Sequence, residues 1–236
     1  MYKTSKNIIH NSKPLQNKLI VAITRRPDEI MLGEFKLYLD YSFQHEQNAP
    51  TRGIVVACCE GLNQNLMNWG TINEVMVGDE VVFSYVAAMH CWFDEPERTL
   101  MDEDDTMYFV IDYEDLFVAK RNGKIIPLNG YVLCEPVIDD IRTKLVLPDS
   151  VRTRRSEKYG RVAHVGRKND FYQLLTEFGP EKRIDISDSQ VEVGQTVVFA
   201  KNCDLMIENE AHAAIAGRNK PLYRMHQCYL LGVVEN

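Results

Sequence analysis

Two short motifs each occur twice in this chain, in the same order and at nearly the same distance. Pro14-Leu15 opens a segment that runs into Leu19-Ile20-Val21, and Pro127-Leu128 opens one that runs into Tyr131-Val132-Leu133, 113 residues later. Val77-Gly78-Asp79-Glu80-Val81-Val82-Phe83 returns 116 residues later as Val193-Gly194-Gln195-Thr196-Val197-Val198-Phe199. Two collinear matches at nearly one spacing indicate a duplicated unit of about half the chain. A unit of roughly 110 residues is a normal size for a domain with its own core. We therefore expect two domains, residues 1–122 and 123–236. The boundary is placed at Arg121-Asn122-Gly123-Lys124, whose Asn-Gly pair tolerates the positive φ angles of a two-residue hairpin.

The units read as strands. Leu19-Ile20-Val21-Ala22-Ile23 is a short apolar run, and Gly53-Ile54-Val55-Val56-Ala57 and Glu80-Val81-Val82-Phe83 are β-branched and aromatic. Phe35, Leu37, Leu39, Tyr41 and Phe43 alternate with polar residues or tyrosine, the period-two signal of a half-buried strand. Thr106 to Ile111, Tyr131-Val132-Leu133, Gly160 to Val165, Gln195 to Phe199 and Cys228 to Leu231 continue the pattern. Short strands punctuated by Gly, Asn and Asp indicate an all-β protein of barrels or sandwiches.

Charge and motif content exclude several functions. The formal net charge of −7 opposes nonspecific nucleic-acid binding, which needs clustered cations against phosphates. The basic run Arg152-Thr153-Arg154-Arg155 reads as a solvated loop. No apolar run approaches the ~20 residues that span a bilayer, and the polar start Met1-Tyr2-Lys3-Thr4-Ser5-Lys6 lacks the apolar stretch of a signal peptide. A cytoplasmic protein with reduced cysteines is expected. The six cysteines form no C-x-x-C pair, and His90 and Cys91, if on a strand, point to opposite faces, so neither a metal nor a cofactor is expected. The acidic stretch from Asp94 to Asp105 lacks a calcium-loop pattern and reads as a solvated insertion. His212 and His226 have no nucleophile motif nearby and read as surface or packed histidines. Phosphate-binding and nucleophile-elbow glycine motifs are absent, so no enzyme activity is expected.

The order of motifs in the second unit is informative. Pro127-Leu128-Asn129-Gly130-Tyr131-Val132-Leu133 is followed by Leu145-Val146-Leu147-Pro148, then Gly160-Arg161-Val162-Ala163-His164-Val165-Gly166. The Val193–Phe199 segment comes next, and Tyr229-Leu230-Leu231-Gly232-Val233-Val234 ends the unit. This series resembles the GroES co-chaperonin family, with its Pro-Leu strand, mobile loop ending in an apolar triplet, Gly-x-Val-x-x-Val-Gly segment, Val-Gly-Asp strand and apolar last strand. The first unit resembles it less closely, through Pro14-Leu15, Thr51 to Ala57, Val77 to Phe83 and Asp115-Leu116-Phe117-Val118.

The resemblance implies two tandem GroES-like β-barrels, a homo-oligomeric ring, and a GroEL-type chaperonin in its ATP-bound state as partner. It makes Leu145, Val146 and Leu147 the partner-binding triplet, which would insert between two helices of the chaperonin. The first unit offers two weaker candidates, Ile30-Met31-Leu32 and Leu37-Tyr38-Leu39, the second of which lies in the alternating segment and reads as an ordered strand. The family's roof hairpin would span Arg167 to Gln190 and Gly61 to Glu74, with Asn68-Trp69-Gly70 as the turn of the latter. The glycines usual before the triplet are missing, since Lys144 precedes Leu145 directly. That departure keeps an alternative open: a structural or assembly protein, for example of a phage particle, that reuses the barrels without binding a chaperonin.

Overall fold

The computed structural model describes residues 2–23, 29–32, 35–38, 49–67, 69–138, 155–167, 170–172, 183–184, 191–203, 205–206 and 222–234. The chain is mostly β. Its strands are β1 (Tyr2–Lys3), β2 (Lys18–Ile23), β3 (Glu29–Leu32), β4 (Phe35–Tyr38), β5 (Arg52–Cys58), β6 (Trp69–Gly70), β7 (Glu80–Phe83), β8 (Thr99–Met101), β9 (Met107–Asp112), β10 (Leu116–Arg121) and β11 (Lys124–Pro127). There follow β12 (Tyr131–Ile138), β13 (Arg155–Val165), β14 (Asp170–Tyr172), β15 (Arg183–Ile184), β16 (Thr196–Phe199), β17 (Leu205–Met206), β18 (Tyr223–His226) and β19 (Leu230–Val234). Among the described residues, two α-helices of about one turn each, α1 (Lys6–His10) and α2 (Tyr85–Met89), accompany them.

The described residues form two compact units, one built from residues up to 67 and from 72 to 125, the other from 69–71, 126–206 and 222–234. The main sheet of the first runs β1-β8-β9-β2-β5-β7-β10-β11, and that of the second runs β17-β18-β12-β13-β16-β19. Both are antiparallel apart from the β1–β8 pair. Five neighbours match between them: β9-β2-β5-β7-β10 corresponds to β18-β12-β13-β16-β19, with the same chain order within each unit.

The duplication extends to individual hydrogen bonds. In the first unit Gly78 (φ 94°) donates to the Val55 carbonyl at 2.8 Å; in the second Gly194 (φ 93°) donates to Val162 at 2.8 Å. Only glycine adopts this φ without strain, which explains why Val-Gly recurs. One residue on, the side chain of Asp79 accepts from the Met76 amide at 2.9 Å, and that of Gln195 accepts from Glu192 at 2.8 Å. Register shifts fall at equivalent places, between Ile20 and Val21 on β2 and between Leu133 and Cys134 on β12. A 3-10 turn precedes the last matched strand in each copy, Tyr113–Asp115 before β10 and Gln227–Tyr229 before β19.

The cores follow the same map. In the second unit Val132, Cys134, Val162, Val197, Phe199 and Met225 pack into one cluster. Their counterparts Leu19, Val21, Val55, Val81, Phe83 and Ile111 are each at most 1% exposed. The opposite face of the first sheet is covered from the N-terminus, where Ile9 of α1 packs with Ile20, Val56, Ala57 and Tyr108. Ser5 caps α1 by accepting from the Ile8 amide, which fixes that helix over the sheet.

Three local expectations need correction. Trp69–Gly70 forms a strand, not a turn; it pairs with β14 in a three-stranded sheet completed by β15. His90 and Cys91 begin a wide helical turn, His90–Asp94, that continues α2, so strand alternation does not apply to them. The acidic stretch is not simply solvated. Asp102 is fully buried and organises the turn before β9, accepting from the amides of Asp104 (2.9 Å) and Thr106 (2.8 Å) and the Tyr108 hydroxyl (2.7 Å). Burial raises the pKa of its carboxyl, but these hydrogen bonds outweigh that effect and hold it below its usual range.

Candidate binding surfaces

The connection between the first and second matched strands is the position at which the family resemblance puts partner binding. In the second unit it runs from β12 to β13, and Leu145, Val146 and Leu147 lie outside the described residues. In the first unit the equivalent connection contains the β3–β4 hairpin. Ile30 stands opposite Leu37, Met31 opposite Lys36 and Leu32 opposite Phe35, with Tyr38 opposite Glu29. Leu39 lies outside the described residues. Ile30, Met31 and Leu32 thus share one hairpin with Leu37 and Tyr38 of the second candidate triplet. Phe35 and Tyr38 are 78% and 75% exposed, and the Lys36 ammonium sits 5.3 Å from the centre of the Tyr38 ring. Exposed aromatics of this kind are the residue types that anchor protein interfaces.

A second feature of the first unit is a polar cleft of about 210 Å³ lined by His90, Cys91, Arg98, Asp112 and Asp115 among others. Asp112 is the hub: Arg98 donates to one carboxylate oxygen at 2.6 Å and Lys18 to the other at 2.7 Å. Burial pushes the Asp112 pKa up, but the two cations outweigh it and hold the carboxyl below its usual range. Arg98 also pairs with Glu95. Asp115 is pushed up to about 6, mainly by burial and further by the charges of Asp112 and Glu114, against the opposing pull of His90 and Arg98. Cys91, whose thiol is 3.5 Å from the Val110 carbonyl, is pushed by burial to about 12 and stays protonated.

This arrangement stores an unfavourable charge in the folded chain. The Asp115 carboxyl keeps its proton to about pH 6 when folded, and only to about pH 4 when unfolded. The folded state binds more protons between those values, so stability falls as pH rises through the window, and the charge opposes folding above it. Asp115→Asn is expected to raise stability at pH 7 by about 1–2 kcal/mol and to leave it unchanged near pH 4. Urea titrations of both proteins at the two pH values check this.

Among the described residues the equivalent turn of the second unit does not repeat the acidic lining of the cleft. Asp112 is replaced by His226, and Asp115 by Tyr229, at the equivalent turn. His226 is buried, its Nδ1 accepts from the Cys228 amide at 3.3 Å, and its ring meets that of Tyr131 edge-on at 5.6 Å. Burial lowers its pKa to about 4, so it is neutral and caps a turn. His212 lies outside the described residues. Among the described residues no group of three or more His, Cys, Asp and Glu side chains is placed to hold a metal ion, and no helix is long and apolar enough to cross a membrane. No family model and no curated protein matches the chain.

Sequence reasoning missed the Asp112–Arg98–Lys18 hub because its members are spread over β2, the turn before β8, and β9. It missed Phe35 as an exposed aromatic because alternation gives a period and not which face is covered.

Proposed function

We infer that the chain is a co-chaperonin, built from two GroES-like β-barrels, that caps a GroEL-type chaperonin ring and assists ATP-dependent folding as a binding module. One observation carries this reading. The family landmarks occupy equivalent places in both units: the Pro-Leu segment enters β2 and β12, the Gly-x-Val segment is β5 and β13, the Val-Gly turn enters β7 and β16, and the last strand is β10 and β19. The binding element on this reading is the β12–β13 connection, with Leu145, Val146 and Leu147 entering an apolar groove of the partner. Burying three aliphatic side chains contributes a gross ~5 to 8 kcal/mol, from which ordering of the loop subtracts. Several loops acting together in a ring multiply such modest contacts.

The test is size-resolved mixing with a GroEL-type chaperonin, with and without ATP. The unmodified chain is expected to co-elute only with nucleotide. Leu145→Asp combined with Leu147→Asp is expected to weaken that association by at least ~100-fold, since two buried leucines become charged. No complex under either condition overturns the reading. The β3–β4 hairpin favours a second one: paired strands carrying exposed Phe35 and Tyr38 suit fixed docking into a larger assembly. That reading predicts stable incorporation with no dependence on nucleotide.

A further inference from the structure

Two-residue turns with both φ angles positive occur at Gln16-Asn17 (55° and 64°), Asn122-Gly123 (50° and 78°) and Asn129-Gly130 (50° and 70°). The first and third are one turn in two copies. Lys18 donates to the Leu15 carbonyl at 3.2 Å, and Tyr131 to Leu128 at 2.9 Å. From the 3-10 turn of each unit, Tyr113 donates to Asn17 at 2.8 Å and Gln227 to Gly130 at 3.1 Å. The middle turn joins β10 to β11. Asn and Gly suit such turns by conformation, but Asn followed by Gly also has a chemistry of its own. The glycine amide nitrogen attacks the asparagine side-chain carbonyl carbon, unhindered by a side chain on the attacking residue. A C–N bond forms, ammonia leaves, and a five-membered succinimide results. Water then opens the ring to aspartate, or to isoaspartate, in which the main chain runs through the former side-chain carboxyl. Water is the one co-reactant, and nothing is oxidised or reduced.

Asn-Gly occurs twice in the chain, at 122 and at 129, so the sequence does not choose between them. The structure does. Asn129 is fully buried between the buried Leu128 and Gly130, and Gln227 ties its turn from outside. Asn122, Gly123 and Lys124 are all exposed. A Cβ built on Gly123 would meet nothing within 4 Å, so water has free access to the turn. Among the described residues neither the Asn122 carboxamide nor the Gly123 amide has a hydrogen-bond partner to hold it back.

We propose that Asn122 is a modification site, where spontaneous deamidation forms isoaspartate in the β10–β11 hairpin, and that burial blocks the same reaction at Asn129. The two products act differently on the hairpin. Aspartate suits the same turn as asparagine. Isoaspartate adds one carbon to the main chain, and a two-residue hairpin sets strand register by its length. The β10–β11 pairing is therefore disrupted from the turn. Arg121, which donates to Asp79 at 2.7 and 2.6 Å, is the adjacent residue, and the new carboxylate competes for its guanidinium. The change is one-way, so the hairpin weakens with the age of the chain. This inference stands on the two Asn-Gly turns alone and does not depend on the chaperonin reading.

Ageing the full chain in ¹⁸O-labelled water, at pH 8 and at pH 6, tests it by peptide mass spectrometry. The peptide containing Asn122 is expected to gain label and to split into two isomers on chromatography, with isoaspartate in excess. Conversion is expected to be faster at pH 8, because the attacking amide must lose its proton. Buried amides react only from opened states, so Asn129 is expected to convert at least ~10-fold more slowly. A synthetic peptide of residues 119–126 sets the rate of the unfolded sequence. Conversion of that peptide while Asn122 in the chain stays intact overturns the proposal, and so does Asn129 converting as fast as Asn122. Urea unfolding of the aged chain reads the consequence. The isoaspartate fraction is expected to unfold at lower urea than fresh protein, whereas Asn122→Gly, which keeps a turn-compatible residue and has no carboxamide, is expected to age without change. An isoaspartate fraction that unfolds with the fresh protein refutes the disruption of the hairpin.

Discussion

Gly53→Ala is expected to destabilise the first unit by about 4 kcal/mol or more, at the upper end of what overpacking does. A Cβ at this position of β5 would lie 2.3 Å from the Ala22 carbonyl oxygen and 2.6 Å from Val21 Cγ1. Neither neighbour yields easily. The oxygen is backbone of β2, held between β5 and β9, and Val21 is fully buried. The duplicate supplies an internal control. Gly160 holds the equivalent position on β13, but its added Cβ would meet Cys134 Cβ at 3.0 Å and Phe199 at 3.4 Å. Cys134 Cβ moves only with the β12 backbone, but at these distances it and the Phe199 ring need to give by only a few tenths of an ångström, so Gly160→Ala is expected to cost less, about 1–2 kcal/mol. Thermal and urea melts of the two variants check the order. Equal losses would mean that β2 moves aside as freely as β12 does.

The contrast between these two glycines illustrates what the sequence made legible. Motifs whose chemistry is local were readable from it. Gly78 and Gly194 recur because a turn needs positive φ, and Asn122-Gly123 forms the tight turn expected of it, with φ values of 50° and 78°. The strands follow from β-branched runs, and the duplication follows from two repeated motifs. Features that depend on contacts between distant segments were not legible. Asp102 reads as one more acid in a solvated run, yet Tyr108 and two amides make it a buried turn centre. Trp69–Gly70 reads as a turn because Asn and Gly flank the tryptophan, yet its partner is Asp170–Phe171, a hundred residues away. The candidate site divides in the same way. The β3–β4 hairpin was foreshadowed by alternation, but the outward placement of Phe35 and the polar hub at Asp112 required tertiary structure.

Removing the arginine that pairs with Asp79 is the second substitution with a large expected effect. The Asp79 side chain is only 3% exposed, and Arg121 donates to it twice, through Nε at 2.7 Å and Nη2 at 2.6 Å. The same Nη2 reaches the Glu74 carbonyl at 2.8 Å, so one guanidinium fastens β10 to the chain entering the Gly78 turn. The hydrogen bonds that Arg121 donates to Asp79 raise the Arg121 pKa further. Arg121→Met would leave a buried carboxylate with only the Met76 amide. Breaking a buried pair from one side costs ~3–5 kcal/mol; Arg121 is 29% exposed, which places the expected loss near the lower figure, about 3 kcal/mol. The second unit indicates how to recover it. Gln195 makes the same turn hydrogen bond with a neutral side chain, so the turn needs an acceptor and not a charge. Asp79→Asn added to Arg121→Met should therefore restore more than half of the loss, because it removes the stranded charge and keeps the acceptor. A double-mutant cycle in urea is expected to return a coupling of about 1.5–3 kcal/mol. A loss below about 1 kcal/mol for Arg121→Met alone would mean that water reaches Asp79 once the guanidinium is gone. In that case the pair contributes specificity of strand placement, not stability.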